Sequence, residues 1–148
     1  MTSASTTTLV KPAAEESNRV QVGYRTGEEY EVTVRGHRFT VDQPIEHGGA
    51  DTAPTPTELF VASLTACVAF YAGRYLDRNG WSRDGLTVEA SFTMADRPAR
   101  VGAVTIRIHP PAGLPPERIE RLLAVASHCT VHNSLTQAPD VTVAVAEP

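Results

Sequence analysis

Two cysteines, Cys67 and Cys129, are the residues of this chain best suited to covalent chemistry. A cysteine acts as a nucleophile or metal ligand through its thiolate. Cys67 lies in an apolar stretch, where burial raises a thiol pKa. Cys129 lies in the segment His-Cys-Thr-Val-His, between His128 and, three residues on, His132. Each cysteine taken alone has a simpler interpretation, as a core residue for Cys67 and a helix-end residue for Cys129, because buried cysteine is common.

A metal site is a second interpretation of the segment that contains Cys129 and His132. Zinc sites take three or four protein ligands, and the chain has no C-x-x-C or H-E-x-x-H motif. The chain also lacks the nucleophile-elbow motif that would indicate a serine hydrolase. We therefore expect no metal and no other cofactor, which leaves the cysteines as structural or redox-active residues.

Composition and charge limit the class of protein to which this chain can belong. The 148 residues are 41% hydrophobic and 20% charged with a net charge of −4, which is typical of one globular domain. No basic block indicates a nucleic-acid or membrane partner. The apolar stretch 59–72 is too short to cross a bilayer, and residues 1–10 do not resemble a signal peptide. We expect a cytoplasmic protein, where thiols stay reduced.

The N-terminal half predicts a tail, a meander and a long helix. Residues 1–17 are rich in Ser, Thr and Ala, which predicts a disordered tail before a single domain at 18–148. Alternating apolar residues predict three antiparallel strands. Thr55, Pro56 and Glu58 form a capping box with proline at the first helical position, so a helix starts there and runs to about Asn79. The predicted strands lie at residues 19–24, 30–34 and 39–41.

We expect this helix to be central and buried, because it is apolar on nearly all sides. A stripe of small residues along it allows close approach of another backbone, such as the same helix of a second subunit. Further strands are predicted at 86–92, 101–108 and 141–145, with a helix at 115–127 and a short helical turn to Leu135. The order βββ-α-ββ-α-β is an α+β fold with a mostly antiparallel sheet. The stripe consists of Ala62, Ala66, Ala69 and Gly73.

Two motifs resemble those of the OsmC/Ohr superfamily, the osmotically inducible protein C and organic hydroperoxide resistance proteins. They are Gly-Gly-Ala-Asp-Thr-Ala-Pro-Thr-Pro-Thr-Glu-Leu-Phe-Val-Ala-Ser-Leu-Thr-Ala-Cys at 48–67 and Cys-Thr-Val-His-Asn-Ser-Leu at 129–135. The resemblance implies an OsmC-like fold and an intertwined homodimer with active sites at the subunit interface. It implies that Cys67 attacks a hydroperoxide and becomes a sulfenic acid. Cys129 then forms a disulfide with it, which an external dithiol reduces.

The charged partners of Cys67 depart from the family pattern. Organic hydroperoxide resistance proteins have a glutamate ten residues before the reactive cysteine, and Thr57 stands there. Glu58 lies nine residues before Cys67, roughly 14 Å along a helix and on its opposite face. The segment Pro-Thr-Pro-Thr-Glu-Leu is more similar to the OsmC-like branch of the superfamily than to the organic hydroperoxide resistance branch. Arg25 matches the position of the family's activating arginine, with Arg35 and Arg38 as alternatives.

The sequence therefore leaves two main hypotheses, besides the metal site. The first is a thiol-dependent peroxidase that reduces organic hydroperoxides in oxidative-stress defence. The alternative is a non-catalytic protein that binds a small ligand on the same scaffold. Candidate binding residues are Glu58, His132 and Phe60; further candidates for a pocket are Phe70 and Tyr71, and His47 at its rim.

Overall fold

The protein is described here by a computed structural model that covers residues 18–146. The predicted disordered tail, residues 1–17, lies outside the described residues. The described residues divide into two compact units, one ending at Pro56 and the other beginning at Thr57, each taken by itself below. Both units are built from antiparallel strands, and the second also holds a long helix, which confirms the α+β class.

The first unit is a three-stranded antiparallel meander. Strand β1 spans Val20–Thr26, β2 spans Glu29–Val34 and β3 spans His37–Val41. Val32 in the central strand pairs with Val22 on one side and Phe39 on the other. The turns fall at the two predicted glycine-containing breaks. The meander prediction is therefore confirmed.

A buried carboxylate anchors the loop that follows β3. Asp42 is 1% exposed and accepts hydrogen bonds from the backbone N–H groups of Gln43 (2.8 Å), Ala50 (3.1 Å) and Thr52 (3.1 Å), and from the Thr52 hydroxyl (2.9 Å). Gly49 is required because a Cβ there would lie 1.8 Å from the Gln43 carbonyl oxygen. The backbone N–H of Thr52 is the largest cause that lowers the pKa of Asp42.

Helix α1 spans Pro56–Arg78 and begins at the predicted residue. Its buried residues recur every three or four positions, so they form one face. By length and composition the helix could cross a membrane, with a mean hydropathy of 1.4. The core helix of a soluble protein meets the same criterion, and this helix packs in the core of its unit. The buried residues are Val61, Leu64, Val68, Ala72, Gly73, Tyr75 and Leu76.

The rest of the second unit packs against that face. Strands β4, Thr87–Ala95, and β5, Arg100–His109, form an antiparallel hairpin. Helix α2 spans Pro116–Ala126 and helix α3 spans Thr130–Thr136. In the core, α1 packs against side chains of α2, of the hairpin and of the α2–α3 junction. These are Leu122 and Ala126 of α2, Val104, Ile106 and Ile108 of β5, and Cys129 of the junction.

One predicted strand needs correction. Residues 141–145 form no strand, because no neighbouring strand pairs with them in the described chain, and an isolated strand leaves its backbone groups without partners. Val141, Val143 and Val145 are 80%, 92% and 97% exposed. Helix α1 is the central helix of its unit, as predicted; one face packs in the core, and Ala62 and Ala66 of the small-residue stripe are exposed.

Candidate functional site

The fold brings the two cysteine thiols together. Cys67 projects from the middle of α1 and is partly buried, whereas Cys129 lies between α2 and α3 and is fully buried. Cys67 packs against the core cluster that contains Cys129, its side chain contributes to the raised pKa of Cys129, and both cysteines are free thiols. Two cysteines 62 positions apart in the sequence are therefore neighbours in the fold.

Cys129 also caps a helix. As the N-cap residue of α3, its Sγ accepts a hydrogen bond from the backbone N–H of His132 at 3.4 Å. Burial is the largest influence on this thiol and raises its pKa; the N–H of His132 opposes the rise, and Cys67 adds to it. Cys129 is therefore a protonated thiol at neutral pH. The contribution of His132 comes from its backbone rather than from its imidazole.

A hydroxyl pair ties the helix that carries Cys67 to the segment that carries Cys129. The Tyr71 and Thr130 hydroxyl oxygens lie 2.9 Å apart. Tyr71 follows Cys67 by one helical turn, and Thr130 follows Cys129 directly. This hydrogen bond therefore spans the same two elements as the thiol contact. Sequence reasoning assigned Tyr71 only to packing or a pocket wall, because nothing in the sequence pairs it with residue 130.

An apolar cavity of about 200 Å³ lies next to the thiols, between α1, β5 and α2. Leu64 and Val68, which flank Cys67 on α1, line one side, and His132 lines another. A cavity with mostly aliphatic walls suits an apolar ligand. The remaining lining residues are Val104, Ile106, Ile108, Leu123, Ala126 and Ser127.

The predicted activating arginine belongs to the first unit. Arg25 Nε pairs with Glu29 Oε1 at 3.3 Å across the β1–β2 turn, and Glu29 also accepts a hydrogen bond from Thr52. Of the alternatives, Arg38 lies 3.7 Å from Glu31, and Arg35 has a left-handed backbone conformation (φ 56°) in the second turn. Arg25 is thus neutralised by an acid within its own unit.

The remaining predicted site residues are exposed, each within its own unit. Glu58 is exposed near the start of α1, and Phe60 is 40% exposed. Phe70 is also exposed and stacks edge-on against Tyr71. His47 lies exposed in the short 3-10 helix Ile45–His47 of the first unit. The neighbours that the structure gives to Cys67 in its own unit are instead Cys129 and, one helical turn along α1, Tyr71, which bonds to Thr130.

The histidines near Cys129 do not build a metal site. His128 is exposed, and its Nδ1 lies 2.8 Å from the carbonyl oxygen of Ala124. Within residues 18–146, no three His, Cys, Asp or Glu side chains converge closely enough to hold a metal ion. The site as described is a pair of thiols beside an apolar cavity.

Comparison with known families places this geometry in context. The sequence model of the OsmC-like protein family matches residues 48–144, a range that contains both cysteine motifs. No curated protein matches the sequence significantly.

Solved structures share the fold at low sequence identity. One is a Psychrobacter arcticus 273-4 protein, provisionally assigned to the osmotic stress and detoxification response. It is 25% identical with a TM-score of 0.73 over 78% of this chain and 85% of that one. The organic hydroperoxide resistance protein OsmC of Legionella pneumophila is 20% identical, with a TM-score of 0.58 over 79% and 88% of the chains. An OsmC-like protein of unknown function from Vibrio cholerae is 12% identical, with a TM-score of 0.64 over 78% and 91%.

Proposed function

The chain belongs to the OsmC-like protein family, and we propose that it acts in hydroperoxide resistance as a thiol-dependent peroxidase. The observation that carries the proposal is the contact between Cys67 and Cys129 within one compact unit. The organic hydroperoxide resistance protein of Legionella pneumophila shares this fold. A redox role explains why two cysteines so far apart in sequence meet as free thiols.

The proposed reaction has three balanced steps. The Cys67 thiolate attacks the terminal oxygen of a hydroperoxide, the O–O bond breaks, and the leaving alkoxide takes a proton to become an alcohol. Cys67 is then a sulfenic acid. Cys129 attacks its sulfur, so that a disulfide forms and water leaves. An external dithiol reduces this disulfide and is itself oxidised to a disulfide.

The burial of the two cysteines supports the proposed order in which they react. Cys67 is partly exposed and reaches a peroxide from solvent, whereas Cys129 is 0% exposed. The pKa of Cys129 is raised by burial, which makes it a poor first nucleophile. Neither cysteine lines the aliphatic cavity, but Leu64 and Val68, close to Cys67 in sequence on α1, do, and an apolar cavity in this unit favours an organic hydroperoxide over hydrogen peroxide.

We propose a cytoplasmic homodimer as the working form. The exposed face of α1 and strand β4 border an open groove of about 440 Å³. Small side chains on that face permit close helix approach. In a dimer, Arg25 of one subunit would have to leave its ion pair with Glu29 in order to supply the activating cation to a thiolate. The α1 residues of the groove include Glu58, Ala62, Ala66 and Ala69. Sedimentation equilibrium of the wild type and of Ala66→Glu, which places a charge in the groove, tests this assembly.

Peroxide consumption with a dithiol reductant tests the reaction. We expect the wild type to consume an organic hydroperoxide catalytically and Cys67→Ser to be inactive. Cys129→Ser should react once and accumulate a sulfenic acid that dimedone traps. Ser134→Ala, which removes an exposed hydroxyl of α3, is the matched control and should keep full activity. An unchanged rate in Cys67→Ser would refute the proposal.

A second candidate function is non-catalytic binding of a small apolar ligand in the cavity beside the thiols. The aliphatic walls and the uncharged Thr57 at the glutamate position favour it. It predicts that both thiols stay reduced after one equivalent of peroxide, as read by mass spectrometry. Formation of a Cys67–Cys129 disulfide would count against it.

A further inference from the structure

A second cavity, of about 300 Å³, lies at the C-terminal end of α1 and carries two arginines. Its volume is at the lower end of the range of small-molecule sites. It is distinct from the aliphatic cavity, with which it shares no lining residue. The walls are Tyr71, Arg74, Tyr75, Arg78, Asn79 and Val125, the last from α2.

The helix places this cavity in line with the reactive cysteine. At 100° per residue, Arg74 and Arg78 lie within about 20° of the direction of Cys67, one on either side. Their Cα atoms are roughly 10 Å and 16 Å along the axis from it. Tyr71 stands between them and the thiol, and its hydroxyl bonds to Thr130. The cavity and the thiol pair therefore occupy one continuous face of α1.

The positive charge of the cavity is not neutralised by the described part of the chain. Neither Arg74 nor Arg78 forms an ion pair within residues 18–146. Asp77, the acid in this stretch of helix, is instead paired with Arg83. The Arg74 guanidinium lies 5.5 Å from the centre of the Phe70 ring, a cation–π contact that holds it in place. Two unpaired guanidinium groups in a protein of net charge −4 are a local attraction for anions.

The other walls indicate what accompanies the anionic group. Tyr71, Tyr75 and Val125 offer apolar surface, whereas Asn79 offers a polar side chain. Tyr75 is 7% exposed, and its buried hydroxyl has no hydrogen-bond partner among the described residues. The Tyr75 hydroxyl is itself inaccessible, so Tyr75 contributes its ring, rather than its hydroxyl, to the cavity wall.

We propose that this cavity binds a small organic molecule that carries an oxyanion, a carboxylate or a phosphate, on an apolar body. The planar guanidinium groups of Arg74 and Arg78 hold the oxyanion through charge-assisted hydrogen bonds. The aromatic rings and Val125 cover the apolar body. This binding site goes beyond the peroxidase proposal and does not depend on either thiol.

Isothermal titration calorimetry measures the binding, because the single tryptophan, Trp81, is not among the residues that line the cavity. The probes are benzoate, phenyl phosphate and the neutral isostere benzamide, titrated at constant ionic strength without peroxide. We expect saturable binding of at least one anion and none of benzamide. Arg74→Ala/Arg78→Ala should weaken that binding at least tenfold, about the loss of one strong charge-assisted hydrogen bond. Which of the two anions binds distinguishes a carboxylate ligand from a phosphate ligand.

Arg107→Ala/Arg118→Ala is the matched control, because it removes the same charge at two exposed sites outside the cavity. It should bind the anion as the wild type does. Circular dichroism of both double variants checks that the fold is kept, and Arg78→Lys, which keeps the charge, should retain part of the affinity. Equal loss in both double variants, equal binding of benzamide and benzoate, or no saturable binding of either anion would overturn the proposal. Because no peroxide is present, these outcomes leave the peroxidase question untouched.

Discussion

Oxidation of the thiol pair should stabilise the folded protein by a predictable amount. A disulfide between Cys67 and Cys129 closes a loop of about 60 residues, for which the chain-entropy relation gives roughly 4 kcal/mol. Forming it weakens the hydrogen bond from the His132 N–H to the Cys129 sulfur, at a cost of about 1 kcal/mol. The free energy of unfolding should therefore rise by about 3 kcal/mol. In a chain of this length, that corresponds to an increase of roughly 6 to 12 °C in the melting temperature.

Thermal unfolding followed by circular dichroism, before and after one equivalent of an organic hydroperoxide, measures this change. Mass spectrometry identifies the oxidised sample by the loss of two hydrogens. Cys67→Ser and Cys129→Ser, treated in the same way, should show no rise, since neither can close the loop. A disulfide that forms but lowers the melting temperature would mean that the two thiols do not meet as described here, and the reasoning from their contact would fail.

Three further predictions concern the framework around the site. Leu76 is fully buried, so Leu76→Ala should lower the free energy of unfolding by roughly 2 to 5 kcal/mol in denaturant titration. Tyr75→Phe removes a hydroxyl that has no partner, so its unfolding free energy should stay within about 1 kcal/mol of the wild type; a much larger loss would reveal a hidden partner. Asp42→Asn should lower the melting temperature at neutral pH. Because the folded-state pKa of Asp42 lies below its ordinary value near 3.8, its contribution is present above that pH and is lost as the pH falls through the lower folded value. The melting temperatures of Asp42→Asn and the wild type should therefore converge in strong acid, and a constant difference at all pH values would contradict this.

Local signals in the sequence were sufficient for most of the fold. Proline at the first position and an N-cap threonine locate the start of α1, and Gly80, with a left-handed backbone (φ 76°), follows its end. Alternation with glycine-containing turns likewise locates the strands of the meander. These signals succeed because each depends on a few adjacent residues.

The same reasoning fails where structure depends on a distant partner. Val141, Val143 and Val145 alternate as a strand does, but alternation describes side chains and cannot supply the neighbouring strand that the backbone needs. The central position of α1, by contrast, was predicted from its apolar composition, and one face packs in the core of its unit.

The candidate site, too, could be predicted from the sequence only in part. Two cysteines in family motifs were visible in the sequence, but their contact was not, since it requires α1 and the α2–α3 junction to pack together. Asp42 was missed because a carboxylate that binds backbone N–H groups in a loop follows no periodic pattern. Arg74 and Arg78 show helical spacing in the sequence, yet only packing against Val125 closes a cavity around them.

The different surroundings of the two thiols suit the order of steps in the proposed reaction. A second cysteine that ionised early would compete for peroxide and would be overoxidised where no partner thiol remains. Burial avoids this by keeping Cys129 protonated, and the N–H of His132 points at its sulfur, where it stabilises the thiolate once that forms. The reduced pair disfavours ionisation of Cys129, because the neighbouring Cys67 raises its pKa. Burial is the larger cause of the raised pKa and does not depend on the state of Cys67, so Cys129 is suited to be the second thiol to react in the proposed reaction.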